Sequence, residues 1–492
     1  MAHELSVPGE MSSTLQEKLR KILKEKLVQH QVDRKQLGAF VRDTVNTGWP
    51  KVQIQNMVYV SLRERPHKSI RVNAELEGHI KQADLEWRAG LFNSLQKLSV
   101  TSGVPVLGPR PSAGCEEVEK CWDSLGQLLG SEHVCRGEAV YSLVELYQFM
   151  VDTAAAWSAS QSAGDASVTE PVNMSLLQLT MQQPSRRELQ DIFQELHPSI
   201  LQADAIVDSH QSFTHKPSGA ADYRAVCVIR NGMYALARQV CKMGCPASLR
   251  FQLWSMALGM DHLSSEHSVR MQTLRDQVIS KMSLLDDVMM KDIHACITDN
   301  DSFFVFEDIA YQLALLFLRD PAVQDQPSAS PFVPCPGFAN YLAPVCYLHL
   351  EVHLVYAIFV RVYQQFLCPL HSLSCRHDGL LRLCVVFETL LQERSPSLVL
   401  HLRAHNLEPL QLVFKWIFYA FAGYLDPDQL LGLWDRIIGF DSLLVVPVLA
   451  AAILDFRSAN LMQVTALSEA EAVIADLHHI RILPLLQATL FM

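Results

Sequence analysis

The chain has 492 residues, room for two to four domains of ordinary size, and at 49% hydrophobic and 19% charged it can bury sizeable cores. Its formal net charge of -11 argues against a broad nucleic-acid surface, which needs clustered Lys and Arg, so no nucleic-acid partner is expected. Residues 1–10 lack a basic stretch followed by an apolar run, so no secretory signal is read. With no signal, twelve cysteines read as reduced thiols in the cytoplasm.

Residues 13–30 carry the pattern of an amphipathic helix. Ser13 and Gln16 form a capping box, Leu15, Leu19, Ile22, Leu23 and Leu27 line one face, and Lys18, Arg20, Lys21, Lys24 and Lys26 cover the rest. That face is read as solvated over a packed stripe. Further helices are expected around 52–63, 72–98 and 139–157. Residues 101–115, rich in Pro, Gly and Ser, and residues 158–168, rich in Ser, Ala and Gly, read as linkers, with a third loop at 209–221. Strand signals are sparse and helical periodicity dominates, so the fold class is all-α.

A helix with both ends marked follows Gly244. Pro246 suits its first turn, Ser248 is an alternative cap, and Gly259 is a stop. Leu249, Leu253, Met256 and Ala257 share one face, and Arg250 and Trp254 are neighbours four apart, a pair that the pattern alone reads as stacking in a core. Two groups could suggest a metal. Cys368, His371, Cys375 and His377 match no regular ligand spacing, and His349, Glu351 and His353 have the glutamate in the wrong place for H-E-x-x-H. No metal and no cofactor is expected. The longest strongly apolar stretch, 443–454, is too short to span a bilayer and contains Pro447, so no transmembrane segment is expected. Phosphate-binding, dinucleotide-binding and hydrolase nucleophile motifs are absent.

The string G-C-P-A-S-L-R-F-Q-L-W-S-M-A-L-G at 244–259 resembles the opening motif of the TBC domain, the Rab-GTPase-activating module. Residues 414–421, with Trp416, and 428–438, with Leu433, Trp434, Asp435 and Arg436, are similar to that family's late helices, and 450–454 fits the apolar helix after them. The resemblance runs from roughly 240 to 470. It implies a helical N-terminal region at 1–222 followed by a TBC-like helical domain at 223–492, and a small GTPase of the Rab class as partner, with any membrane contact made through that partner. Arg250, Trp254, Asp292, Trp416, Trp434 and Asp435 are the motif and interface residues it assigns.

The resemblance also assigns chemistry. A Rab-activating TBC domain supplies an arginine in trans that neutralises charge on the transferred phosphoryl group, and a glutamine that positions water. The arginine motif falls on 289–295, where Asp292 matches the family's aspartate and Ala295 stands at the arginine position. The neighbouring Lys291 and His294, cations or near-cations, offer no planar fork. The glutamine motif falls on 334–338, where Pro334 takes the tyrosine position and Pro336 the glutamine position. A rival placement uses Gln324 or Gln326, because Asp320-Pro321-Ala322-Val323 resembles the family's N-P-x-V. An arginine finger contributes about 10³ to 10⁵ in rate, so losing both groups leaves little acceleration. The expected function is a Rab-binding regulator with degenerate fingers. The alternatives are an active activator using displaced residues and a helical scaffold without GTPase binding.

Overall fold

The computed structural model describes residues 51–63, 72–125, 140–162, 176–199, 220–260, 265–324 and 335–492. The expected helix at 13–30 lies outside them. The first part of the described chain holds α1 (Lys51–Arg63), α2 (Ala74–Ser102), strand β1 (Gly108–Pro109), α3 (Ser112–Lys120), α4 (Leu143–Ser162), α5 (Arg186–Ile192) and α6 (Ala220–Arg230). Then come α7 (Tyr234–Met243), α8 (Arg250–Ala257), α9 (Ser265–Ser280), strand β2 (Lys281–Met282), α10 (Leu284–Ile293), α11 (Glu307–Phe317), α12 (Pro321–Gln324), α13 (Ala339–Cys346) and α14 (Val352–Val362). The last part holds α15 (Leu380–Arg394), α16 (Pro396–Ala404), α17 (Pro409–Phe418), α18 (Pro427–Phe440), α19 (Val445–Phe456), α20 (Ser458–Leu461), α21 (Leu467–Ala475) and α22 (Ile482–Phe491). The fold is all-α apart from the two-residue strands β1 and β2, which pair antiparallel.

One hydrophobic core joins Leu76 of α2 to Leu490 of α22. At its centre lies α19, in which every residue from Val445 to Leu454 is buried. A helix apolar all round is read as central rather than amphipathic. Pro447 does not interrupt it. The proline sits in the first turn, where an amide has no helical acceptor to lose. Among the described residues no helix is long and apolar enough to cross a membrane.

The 101–115 stretch is not a linker. Gly103, in the left-handed region at φ 71°, ends α2 by donating its N–H to the Ser99 carbonyl. The chain then straps across the start of α10. The Arg110 N–H donates to the Ser280 carbonyl, the Leu284 N–H to the Pro105 carbonyl, and the Ser283 hydroxyl to the Val106 carbonyl at 2.6 Å. Pro and Gly mark irregular backbone here, and the partners that hold that backbone come from α9 and α10.

Helices α7 and α18 meet closely. A Cβ on Gly439 would fall 2.4 Å from the Lys242 amide nitrogen, so only glycine allows this approach. Each helix end is capped by an arginine of the other. Arg238 donates to the Gly439 and Phe440 carbonyls, and Arg436 donates to the Met243 carbonyl. Cations at helix C-termini satisfy orphan carbonyls and suit the dipole.

Candidate functional site

The opening motif folds as a 3-10 turn, Ala247–Leu249, followed by α8. Pro246 stands just before the turn, and Ser248 is exposed and caps nothing. Arg250 and Trp254 both point at Asp435, buried in the middle of α18. Arg250 Nε lies 3.0 Å from Asp435 Oδ1 and its Nη2 3.2 Å from Oδ2. Trp254 Nε1 donates to Oδ1 at 2.6 Å, and the Cys245 N–H donates to Oδ2 at 2.9 Å. Arg250 Nη2 also donates to the Cys245 carbonyl. Burial opposes the Arg250 cation, but the Asp435 carboxylate outweighs it and raises the guanidinium pKa. A buried ion pair is tolerable when the remaining lone pairs are filled, and here the indole and a backbone amide fill them. The spacing of Arg250 and Trp254 reads as a stacked pair. The structure instead gives both of them one acceptor about 180 residues away.

Trp434, one residue before Asp435, is buried and donates Nε1 to the Ala420 carbonyl at 3.2 Å. That carbonyl belongs to a strained turn. Helix α17 ends at Phe418, so 419–421 does not continue it, and Ala420 and Phe421 take positive φ values of 45° and 64°. Left-handed backbone in a Phe costs roughly 1–3 kcal/mol and persists only where surroundings impose it. Here Phe421 is fully buried and stacks on Trp416, with ring centroids 5.7 Å apart. The turn aims Tyr419 at the second finger loop, where its hydroxyl donates to the Pro336 carbonyl.

Ala295 and Pro336, which the resemblance places at the finger positions, lie at the ends of one hydrogen-bonded unit. Helix α10 runs into a wide turn, His294–Thr298, which carries Ala295 on the surface with Lys291 and His294 exposed beside it. Asp292 turns the other way. Its carboxylate accepts the Gly337 N–H at 2.5 Å and the Ala339 N–H at 2.7 Å, clamping the loop that holds Pro336 and starting α13. Burial pushes the Asp292 pKa up to about 6, against the lowering effect of those two amides. Gly337 has φ 76°, and a Cβ there would meet Tyr419 Oη at 2.7 Å. Ala295 brings no cation to this surface, and Pro336 has neither an amide side chain nor a free N–H. Pro334 and Gln326 lie outside the described residues, and Gln324 is the last residue of α12.

Behind the loop, His371 is half-buried against Tyr363, with Nδ1 3.0 Å from the phenol oxygen, and stacks on Phe418. Burial lowers its pKa to about 3. His377 pairs with Asp378 instead, and His349 lies outside α14, its ring tilted against Phe251 with centroids 4.7 Å apart, so it shares no helix face with His353. Among the described residues no group of three or more side chains is arranged to hold a metal.

Sequence reading missed three supports of this region. Tyr419 and Asn340 wedge the Gly337 loop, and Asn340 would collide with a Cβ on Gly423. Arg319 pairs with Asp286, the residue that also caps α10 through the Ser283 N–H. Asp320 holds Arg270 and the Tyr356 hydroxyl. The Asp320-Pro321 pair was the one legible sign among them, and the partners of Asp320, one ionic and one a hydroxyl, lie 50 and 36 residues away.

An Arg–Trp pair on one helix braced by the aspartate of an L-W-D helix, beside an aspartate-clamped loop, places the motif residues together in one helical domain, as the resemblance to GTPase-regulating TBC domains leads one to expect. The Rab-GTPase-TBC domain model matches residues 247–462. The chain is 33% identical over 477 residues to human TBC1 domain family member 19, covering 90% of this chain and 89% of that protein. The chain belongs to the TBC family of GTPase regulators.

Proposed function

We propose that this protein binds a small GTPase of the Rab class and does not accelerate its GTP hydrolysis. The observation that carries the reading is the pairing of Ala295, exposed at the arginine position, with Pro336, whose loop is fixed by Asp292 and Tyr419. An intact cradle around two inert side chains favours binding without catalysis. An arginine finger lowers the barrier by roughly 4–7 kcal/mol, and methyl and pyrrolidine groups cannot supply that. Exposed Phe304 and Val305, on the turn packed against 294–298, add apolar surface beside Ala295 for a partner to cover. The brace residues Arg250, Trp254, Trp416, Trp434 and Asp435 are buried, so their role in this reading is to hold the domain rather than touch the GTPase. The protein acts in the cytoplasm and meets membranes through its partner. Pull-down against a Rab panel loaded with GTP analogue or GDP tests the binding. Retention of no Rab in either nucleotide state would leave the scaffold reading instead.

A further inference from the structure

Two thiols meet at the seam between α7 and α18, at the root of the Asp435 brace. Cys241 and Cys245 are both buried, with their sulfurs 3.4 Å apart. Helix neighbours four apart have Cβ atoms about 5–6 Å apart, too far for a disulfide, which needs about 3.5–4.5 Å. Gly244 changes this. Its φ of 114° ends α7 after Met243 and swings Cys245 back over the last turn.

We propose that Cys241 and Cys245 form a reversible disulfide under hydrogen peroxide, and that closing it loosens the Asp435 brace. One peroxide oxygen transfers to the Cys241 sulfur as a sulfenic acid while the O–O bond breaks, and the first water leaves. The Cys245 sulfur then attacks the Cys241 sulfur. The S–OH bond breaks, and the departing oxygen takes up the Cys245 proton as a second water. Two thiols lose two electrons in total, and one peroxide becomes two waters. A cellular thiol such as glutathione reverses the step by exchange. Burial pushes the Cys245 thiol pKa well up, so its attack is slow and depends on the 3.4 Å approach of the two sulfurs. Peroxide is small, and the C-terminal turn of a helix is where local opening admits it.

The coupling follows from which end can move. A disulfide is about 2.0 Å long, so the sulfurs must close by about 1.4 Å. Cys241 lies within α7 with Gly439 of α18 pressed against its backbone, its carbonyl carbon 2.7 Å from where a Cβ would stand. Its backbone is the more closely packed of the two. Cys245 lies in irregular backbone and carries two contacts of the brace, its N–H to Asp435 and its carbonyl to Arg250. Moving Cys245 stretches both.

The experiment treats the full chain with hydrogen peroxide, blocks residual thiols, maps peptides by mass, and follows amide hydrogen exchange over 244–250. The expected result is a 241–245 linkage, two hydrogens lighter, removed by glutathione, with exchange in that segment about tenfold faster. Cys241→Ser and Cys245→Ser should show neither the linkage nor the peroxide-induced exchange. Absence of the linkage at a dose that oxidises the partly exposed Cys115 or Cys227 overturns the proposal. So does a linkage formed with exchange unchanged. Neither outcome depends on GTPase binding.

Discussion

The Asp435 brace and the finger loops sit in one domain and treat the family's motifs in opposite ways. At the brace, both oxygens of the Asp435 carboxylate have partners, drawn from Arg250 and Trp254 of α8 and from the Cys245 N–H just past the end of α7. At the fingers the backbone is held just as firmly, by Asp292 and Tyr419, yet the side chains displayed there are a methyl group and a pyrrolidine ring. The contrast separates two requirements that a sequence motif blends together. Holding a loop needs acceptors and packing behind it. Stabilising phosphoryl charge needs a cation and an amide in front of it, and in the function proposed above only the first requirement is met.

The comparison breaks first if the brace is not what holds the domain. Trp254→Ala should cost about 3–5 kcal/mol in denaturant unfolding, because the indole is fully buried and its loss leaves a cavity. Asp435→Ala should cost a similar amount, since it strands the Arg250 cation in the interior. A change under about 1 kcal/mol in either variant would refute the brace.

Asp292 sharpens the contrast through pH. Its folded pKa, raised to about 6 by burial, lies above the ordinary carboxylate value. The group therefore favours the folded state while protonated, below about pH 4. That contribution is lost as pH rises through about 6. Relative to Asp292→Asn, the wild-type chain should lose up to about 3 kcal/mol between those limits. Parallel stability curves for the two proteins would show that Asp292 is not buried beneath the finger loop.

Smaller effects should separate two glycines of α18. Gly439→Ala forces a Cβ into the Lys242 backbone and should cost about 1–3 kcal/mol. Gly432→Ala meets only side-chain ends at ordinary distances, Arg436 at 3.5 Å and Ile482 at 3.8 Å, and should be neutral or stabilising by about 0.5–1 kcal/mol. Equal effects at both sites would argue against the close α7–α18 crossing. Smallest of all, Ala295→Arg on the exposed turn should change stability by less than about 0.5 kcal/mol.

What could be read in the chain follows from how far each signal reaches. Helix periodicity is local, so the helices at 51–63, 74–102 and 143–162 stand within a few residues of where the apolar spacing puts them. The motif residues Arg250, Trp254, Trp434 and Asp435 were legible as types, but not as one cluster, because spacing along a helix says nothing of an acceptor two hundred residues on. The 101–115 strap shows the same limit. Pro and Gly announce irregular backbone, whereas its partners Ser280, Ser283 and Leu284 come from another part of the chain. The left-handed Ala420 and Phe421 had no sequence signal, since neither residue favours that conformation and the packing of Phe421 on Trp416 compels it.

The most direct measurement is single-turnover GTP hydrolysis by a broad Rab panel at saturating protein, run beside binding to the same GTPases. Inert fingers on an intact domain predict nucleotide-dependent binding with hydrolysis unchanged. A rate increase above about 10²-fold on any Rab, abolished by replacing Gln324 and Gln326, would contradict it and assign catalysis to a displaced glutamine.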